Sequence, residues 1–404
     1  MEPGLSQADA FSVSSEPIPT LTPFQPVQQS AVDPFIAEPA AQVFPTYTPY
    51  PTKIVQNDGV STSIEIVPSV DAASGGIIYN PLTGLPAGDP SLLQRRPLAI
   101  KIGNSPDYVR PQSSLTLADV VYEYYIEWGD TRFIAIFYGN TSSQVGPVRS
   151  GRYFDEHIAS MYHSFLMFKG ADPRELEFFH NSAIDPFLVS VGIGKCPPYF
   201  IGRYKRDSYN NVFFDMDAWD ACIQKKGLDN TPQQISGGFF SNDLPSSQLQ
   251  GNRIYTYYSE YSYNYWEYDP ATTDYFRYQE SVDLVKGRTE EAYAPLTDDV
   301  TKAPVTASNV VVLFAPYVFI NTYNAEDEVY RIDLVDYGSA YVYRNGLAIP
   351  ALWHRTEKNQ PITLTDLTGT PIYLKPGKTF YEVIGVTSTT TQDGINWRFK
   401  FQTP

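Results

Sequence analysis

The pattern of apolar and polar residues changes along the chain, and its first half alternates between strand and helix patterns. Residues 96–104 (RPLAIKIGN) are a short apolar run bounded by proline and glycine, which predicts a strand. Residues 118–140 contain two strand-like runs on either side of EWGDT, which predicts a hairpin. Apolar side chains at helical spacing from Phe154 to Phe165 predict a helix over residues 153–166.

Two further helices are predicted from their end signals. Residues 172–182 begin with an aspartate that can serve as N-cap, followed by a proline at the first helical position. Residues 215–228 form a third helical stretch, which ends at Gly227 because glycine readily takes the conformation of a C-cap. Strands mixed with helices predict an N-terminal mixed α/β domain, residues 77–245, with a largely antiparallel sheet.

The pattern changes at residues 232–252, a polar segment rich in glycine, proline and serine. Beyond it the helical period disappears, and Asn345–Gly346 and Asp393–Gly394 are strong hairpin-turn signals. We therefore predict a domain boundary within this segment. The C-terminal domain, residues 246–404, is predicted to be a small all-β barrel or sandwich, which makes the fold class α+β.

The N-terminal segment has a different composition from the rest of the chain. Residues 1–52 contain 10 of the 33 prolines and no lysine or arginine. Proline fixes one backbone dihedral and removes a hydrogen-bond donor, so a segment rich in it favours an extended spacer. We predict that residues 1–76 are a proline-rich disordered stalk that joins the folded part to an anchor.

The overall charge narrows the classes of partner. The chain has 29 basic and 45 acidic residues, a formal net charge of −16. This balance argues against nucleic acid and against an anionic membrane surface, because both are bound through clustered lysine and arginine. No apolar run is long enough to span a bilayer, and no signal peptide is present in the sequence as written.

Cysteines and histidines give few chemical signals. Cys196 and Cys222 can form one disulfide in an oxidising compartment or can be two buried thiols, and the sequence leaves both alternatives open. His157 and His163 are six residues apart, on different faces of a helix, which does not favour a metal site. The chain also lacks a nucleophile elbow, a zinc-protease motif, a P-loop and a dinucleotide-binding motif. No metal or cofactor is expected.

Four arginines lie close together in the first half of the chain, in a protein whose net charge is negative. They are Arg110, Arg132, Arg149 and Arg152. Because a guanidinium group suits carboxylate or phosphate, and because a helix is predicted to start at residue 153, they indicate a pocket for an anion. Arg149 and Arg152 would form its floor, and Ser150 would be an additional donor.

A structural role explains the same arginines without any ligand. In that alternative they pair internally with Asp119, Glu123 or Glu127 of the predicted hairpin. Asp119 and Glu123 are also the candidate general acid and base if they line a cleft, although carboxylates near arginines are more often ion-pair partners. The residues alone leave the anion pocket, the internal pairs and the enzyme open.

Tyrosine is concentrated in residues 254–278 (IYTYYSEYSYNYWEYDPATTDYFRY). Exposed aromatic rings on strands can stack on sugar rings or peptides. However, Tyr261, Tyr263 and Tyr265 alternate as one face of a strand should, and tyrosine pairs across strands are ordinary stabilisers of a sheet. The second interpretation is favoured.

Several segments resemble a known bacterial family. YNPLTGLP, RPLAIKIGNSPDYVRPQSSLTLADVVYEYYIEWGDTRFIAIF and GPVRSGRYF resemble the N-terminal domain of the YerB-like lipoprotein family of unknown function (DUF3048). YDPATTDYFRYQE, NVVVLF, GSAYVYRNG and KPGKTFYEV follow in the order of its C-terminal domain. The resemblance covers approximately residues 78–385.

The resemblance implies an extracytoplasmic protein held to the membrane by a lipidated N-terminal cysteine. No cysteine stands near the start of this chain, so that anchor is expected to be absent from it. Two family elements have lost a histidine here: FKGADP has Phe168 in its place, and residues 209–211 read YNN. The retained positions are the candidate ligand-binding set: Asn104, Arg110, Gln112, Ser113, Asp119, Glu123, Arg132, Arg149, Ser150 and Arg152.

From the residues and the resemblance together we expect a cell-envelope protein of unknown biochemical function. The favoured hypothesis is a binding module for an anionic envelope ligand or a protein partner, with no role for nucleic acid. The alternative is an envelope hydrolase or transferase that uses Glu123 or Asp119, with Arg149 and Arg152 stabilising an anion.

Overall fold

The computed structural model describes residues 76–191, 196, 199–202, 210–235, 239–281, 290–320 and 327–404. The predicted stalk lies outside the described residues, except for residue 76. Tyr209, the first residue of the YNN element, also lies outside them.

The described part of the chain contains three α-helices at the predicted places: α1 (Phe154–Met161), α2 (Pro173–His180) and α3 (Met216–Lys226). At α2, Asp172 accepts a hydrogen bond from the helix backbone and forms a capping box with Glu175. At α3, Gly227 has φ 63°, the left-handed conformation expected of a glycine C-cap.

The prediction for α1 was wrong at its C-terminal end. The helix ends at Met161, and Phe165 is the first residue of a strand. His163 takes a φ of 48°, which turns the chain, and the Phe165 N–H then donates to the carbonyl of Pro97 at 3.0 Å. Pairing with the sheet therefore outweighs the helical spacing of the apolar residues.

The described chain contains twenty-two strands. In chain order they are β1 Leu98–Gly103, β2 Val120–Tyr125, β3 Thr131–Phe137, β4 Phe165–Phe168, β5 Leu188–Ser190, β6 Tyr199–Ile201, β7 Val212–Phe214, β8 Leu249–Gln250, β9 Arg253–Tyr257, β10 Tyr263–Asp269, β11 Asp274–Glu280, β12 Tyr293–Pro295, β13 Thr306–Ala307, β14 Asn309–Ala315, β15 Tyr317–Phe319, β16 Tyr330–Ile332, β17 Asp336–Arg344, β18 Leu347–Arg355, β19 Thr363–Thr365, β20 Thr379–Gly385, β21 Thr389–Asp393 and β22 Asn396–Lys400. The predicted hairpins β2–β3, β17–β18 and β21–β22 are all present.

The largest sheet crosses the predicted domain boundary. Its order is β19-β18-β17-β14-β20-β2-β3-β1-β4-β5, with β8 paired to β18. β20 lies in the middle and pairs in parallel with both β14 and β2. The C-terminal segment is therefore not a self-contained barrel or sandwich, and the N-terminal strands belong to a mixed sheet, because β1, β4 and β5 run parallel.

A smaller sheet, in the order β12-β11-β10-β9-β22-β21 with β13 on β11, packs on one face of the large sheet. The ring of Trp266 on β10 lies 4.8 Å from that of Phe380 on β20. The other face of the large sheet carries α1, where Phe154 lies 4.5 Å from Tyr124 of β2. The core is thus divided into two layers by the large sheet, and both are rich in aromatic side chains.

The two cysteines are joined in a disulfide. Their Cα atoms are 5.4 Å apart, and the bond ties residue 196 to α3 across a separation of 26 residues. Of the alternatives that the sequence left open, the structure shows the bonded one. In the described residues, no helix is long and apolar enough to cross a membrane.

Candidate functional site

Three of the four predicted arginines, Arg132, Arg149 and Arg152, meet at one end of the large sheet. β1, β2 and β4 run in the same direction and end there, and α1 and α2 begin there. Arg132 is the second residue of β3, and its Nη1 donates to the Ser150 carbonyl at 2.8 Å. Its Nη2 lies 3.9 Å from a Glu127 oxygen. Arg132 thus has a backbone acceptor but only a distant carboxylate.

Arg152 has more hydrogen-bond partners than Arg132. Its Nε donates to Glu127 Oε2 at 2.8 Å, and its Nη2 donates to the other oxygen of the same carboxylate. Its Nη1 donates to the Gly151 carbonyl at 2.7 Å. This forked pair is the structural role that the sequence offered as an alternative, with Glu127 as the partner.

Arg149 is held against the backbone of β1. A Cβ atom added at Gly103 would lie 2.8 Å from Cγ of Arg149, so the arginine stem occupies the space that a side chain would take. The Arg149 N–H donates to the carbonyl of Lys101 at 3.0 Å. Because Gly103 has no side chain, the guanidinium group of Arg149 lies close to that of Arg132. Burial and the charge of Arg149 both act on the pKa of Arg132.

A fourth cation lies beneath the arginines. Lys101 is fully buried, and its Nζ contacts the Tyr124 hydroxyl and a carboxylate oxygen of Asp155 at 3.1 Å. Burial lowers the pKa of Lys101 to about 7, although Asp155 opposes the shift. Burial, followed by the charge of Arg152, lowers the pKa of Arg132 to about 9. We name Lys101, Arg132, Arg149 and Arg152 the cationic cluster.

One carboxyl group at this end is poorly satisfied. Glu175, in the first turn of α2, is 1% exposed, and its Oε1 has no hydrogen-bond partner among the described residues. Burial raises the pKa of Glu175 to about 7, while Arg152, 3.7 Å away, opposes this. Near neutral pH this carboxyl group and the ammonium group of Lys101 are therefore both partly uncharged, so their titration leaves the net charge at this end of the sheet nearly unchanged.

The remaining predicted site residues lie elsewhere. Arg110 donates to Glu280 at 2.6 Å, Ser113 accepts from Gln144 at 2.9 Å, and Gln112 donates to Asn104 at 3.2 Å. Asp119 accepts hydrogen bonds from Asn80 and from the backbone of the turn after β3. These contacts hold loops to the sheet. The ten predicted residues therefore do not form a single site.

Glu123 belongs to a buried ion cluster between the two sheets that the sequence analysis missed. Arg277 of β11 donates to Glu123 at 2.5 Å and to Glu382 of β20 at 2.9 Å, and all three side chains are fully buried. Asn104 donates to Glu123 at 3.1 Å, and Trp266 donates to Glu382 at 2.8 Å. One signal was present: Arg277 stands in an alternating strand on the same face as the buried Tyr275.

Glu123→Gln is expected to change how stability depends on pH. Burial, with repulsion from Glu382, raises the pKa of Glu123 from 4.5 to about 8, although Arg277 opposes this. Glu123 thus holds its proton more tightly in the folded protein than in the unfolded chain. Its contribution to the free energy of unfolding therefore falls as pH rises from about 4.5 to about 8. The glutamine variant lacks this loss, so its free energy of unfolding should increase relative to wild type across that range.

Urea unfolding at several pH values would measure this. Glu267→Gln, at a partly exposed carboxylate paired with Arg253, is the control and should follow the wild-type profile. If the difference between Glu123→Gln and wild type were independent of pH, the interpretation of Glu123 as a buried, protonated group would be wrong.

The two carboxylates proposed for catalysis do not line a cleft. Glu123 is 0% exposed and Asp119 is 3% exposed. A crevice with about 500 Å³ of empty space, open solvent included, lies elsewhere and is lined mainly by apolar side chains such as Phe240, Ile362 and Tyr381. Within the described ranges, no group of three metal-ligating side chains occurs. The geometry gives the enzyme alternative no support.

Comparison with known proteins gives consistent results. The N-terminal domain model of the proteins of unknown function DUF3048 matches residues 82–229, and the C-terminal model matches residues 254–381. The chain is 25% identical over 310 residues to a protein of Bacillus subtilis named "Putative lipoprotein YerB", covering 75% of this chain and 85% of that one. The crystal structure of YerB from Bacillus subtilis matches with a TM-score of 0.64 at 24% identity, over 76% of this chain and 96% of that chain.

Proposed function

This chain belongs to the DUF3048 family, and on that premise we propose that it is an extracytoplasmic, envelope-associated protein that binds an anionic polymer through the cationic cluster. The location is supported by the relative's description as a lipoprotein. It is also supported by the disulfide between Cys196 and Cys222, because disulfides persist in oxidising compartments.

The observation that carries the binding role is the arrangement of charge around Arg132. Its carboxylate neighbour lies 3.9 Å away and is already held by Nε and Nη2 of Arg152. Burial and the neighbouring arginines lower the pKa of Arg132, which means that its positive charge is incompletely compensated. An incoming carboxylate or phosphate would be stabilised there. The cluster reaches the surface at Arg152, whose side chain is 14% exposed, whereas the side chain of Arg132 is 6% exposed. An anion would therefore approach Arg132 from the side of Arg152.

The test is sedimentation of the purified chain with bacterial cell walls, before and after chemical removal of their phosphate-bearing polymers. We expect binding that weakens as salt increases, because exposed charge interactions are screened. Arg149→Gln and Arg132→Gln together should reduce binding at least tenfold. Arg253→Gln removes one positive charge at an exposed pair on β9 and should bind as wild type does.

A thermal melt of each variant separates binding from folding. If the Arg132–Arg149 double variant melts cooperatively near the wild-type temperature and still binds, the proposal is wrong. If that variant unfolds, Arg149→Lys replaces it, because lysine keeps the charge but loses the planar fork. Intermediate binding by Arg149→Lys would support the proposal, and salt-independent binding would contradict it.

A further inference from the structure

A tryptophan is displayed on the turn next to the cationic cluster. Trp128 lies between β2 and β3 and is 68% exposed, although tryptophan is usually largely buried. Its φ is 51°, in the left-handed region that bulky residues rarely adopt and that costs free energy. The ring gains little burial in return for this strain, so packing of the fold does not account for it.

Hydrogen bonds stabilise the turn that carries Trp128. The Trp128 N–H donates to Glu328 at 2.9 Å, and the Gly129 N–H donates to the Tyr125 hydroxyl at 3.0 Å. Tyr125 and Tyr330 both donate to the other oxygen of Glu328, at 2.7 and 2.9 Å. The backbone of Trp128 is therefore held at a defined position.

One more exposed aromatic residue, Tyr261, contacts this turn, and a second, Phe319, contacts Tyr330, which binds the same Glu328 as the turn does. The ring of Tyr261 lies against Gly129, where an added Cβ atom would come within 2.6 Å of it, and Tyr261 is 43% exposed. Tyr261 was predicted to lie on a strand face, but β10 begins only at Tyr263, so Tyr261 lies in the preceding turn. Phe319, 45% exposed, lies 5.5 Å from the ring of Tyr330. We name Trp128, Tyr261 and Phe319 the aromatic rim.

The aromatic rim and the cationic cluster are joined by the same turn. Glu127, directly before Trp128, is the carboxylate that holds Arg152. Asp130, two residues after Trp128, lies within electrostatic range of Arg132 and Arg149. A ligand on the exposed tryptophan would therefore lie at the edge of the arginines.

We infer that the anionic polymer is an acidic glycan, whose sugar rings stack on Trp128 and whose carboxylate or phosphate groups face the cationic cluster. The inference rests on the proposed function and adds the chemical class of the ligand. The flat faces of sugar rings suit an exposed indole, whereas a polymer of charges alone would not need an aromatic rim. Charge complementarity favours an acidic glycan over a neutral one.

The full chain reports on Trp128 directly. It contains five tryptophans, and the other four, Trp219, Trp266, Trp353 and Trp397, are at most 4% exposed. Titration with oligogalacturonate, which has rings and carboxylates, and with a phosphorylated mannan, which has rings and phosphates, is expected to shift the fluorescence of Trp128 to the blue. At least one of these two glycans should also protect the fluorescence of Trp128 from quenching by acrylamide. Dextran, with rings but no charge, and polyglutamate, with charge but no sugar rings, should each bind at least tenfold more weakly.

Variants at Trp128 separate stacking from folding. Glycine adopts a φ of 51° without strain, so Trp128→Gly should melt no lower than wild type and should lose at least tenfold in calorimetric affinity for the acidic glycan. Trp128→Phe, which keeps a ring, should lose less. Tyr373→Ala removes an aromatic ring that is 46% exposed elsewhere on the surface and should bind as wild type does.

The outcomes distinguish this inference from the proposal on which it rests. If polyglutamate binds as tightly as the acidic glycans, and Trp128→Gly binds as wild type does, the cluster binds anions but the glycan inference is overturned. If neither acidic glycan binds, the inference is overturned, and if cell walls and polyglutamate also fail to bind, the proposed function fails with it.

Discussion

Replacing Arg277 with methionine is expected to lower the free energy of unfolding by about 3–5 kcal/mol. Arg277 lies between Glu123 and Glu382 with no exposed surface, so its removal leaves two buried carboxyl groups without their cation. Methionine fills similar volume without supplying charge or donors. Urea unfolding followed by circular dichroism would measure the loss. The destabilisation should affect both sheets together, because the three residues come from β2, β11 and β20.

The control for Arg277 is a pair of the same chemistry at the surface. Arg398 binds Glu291 at 2.7 Å, and its side chain is 42% exposed, so Arg398→Met should cost only about 0–1 kcal/mol. Equal effects of Arg277→Met and Arg398→Met would contradict the assignment of a buried ion cluster.

Removal of the disulfide is expected to have the second large effect. In the chain-entropy model, a link across 26 residues restricts the unfolded chain enough to contribute about 3 kcal/mol. Cys196→Ser combined with Cys222→Ser should lower the free energy of unfolding by about that amount. Chemical unfolding with and without reductant provides the measurement.

The double serine variant is also the control for effects of the reductant that do not involve the disulfide. Reductant should destabilise the wild-type protein toward the level of the variant and leave the variant unchanged. If the wild type were insensitive to complete reduction, the bond would not contribute to stability, and its support for an oxidising compartment would be lost as well.

Local features of the fold could be predicted because they depend on neighbouring residues. The cap of α3 at Gly227 and the turn at Asn345–Gly346 require particular backbone angles, which these residue types adopt readily. The end of α1 was missed because Phe165 pairs with Leu98 of β1, which is far away in sequence. The shared sheet was missed for the same reason, since nothing near β20 identifies β2 as its neighbour.

The candidate site was predictable only in part. The concentration of arginines pointed to the end where β1 and β3 meet α1, and Glu127 was among the partners considered. Which carboxylate pairs with which cation depends on contacts across the sheets, so Arg277 and Glu382 were not connected with Glu123. Trp128 was not singled out, because exposure and a positive φ in a turn are properties of the folded chain alone.

The position of β20 has a consequence for how the chain reaches its folded state. Its neighbours β2 and β14 begin at residues 120 and 309, so the middle of the large sheet stays open until residues 379–385 arrive. Such long-range pairing makes folding slow and late, since a large loop must close before the contacts form. A chain that is synthesised or transported from its N-terminus therefore completes its central sheet only near the end of that process.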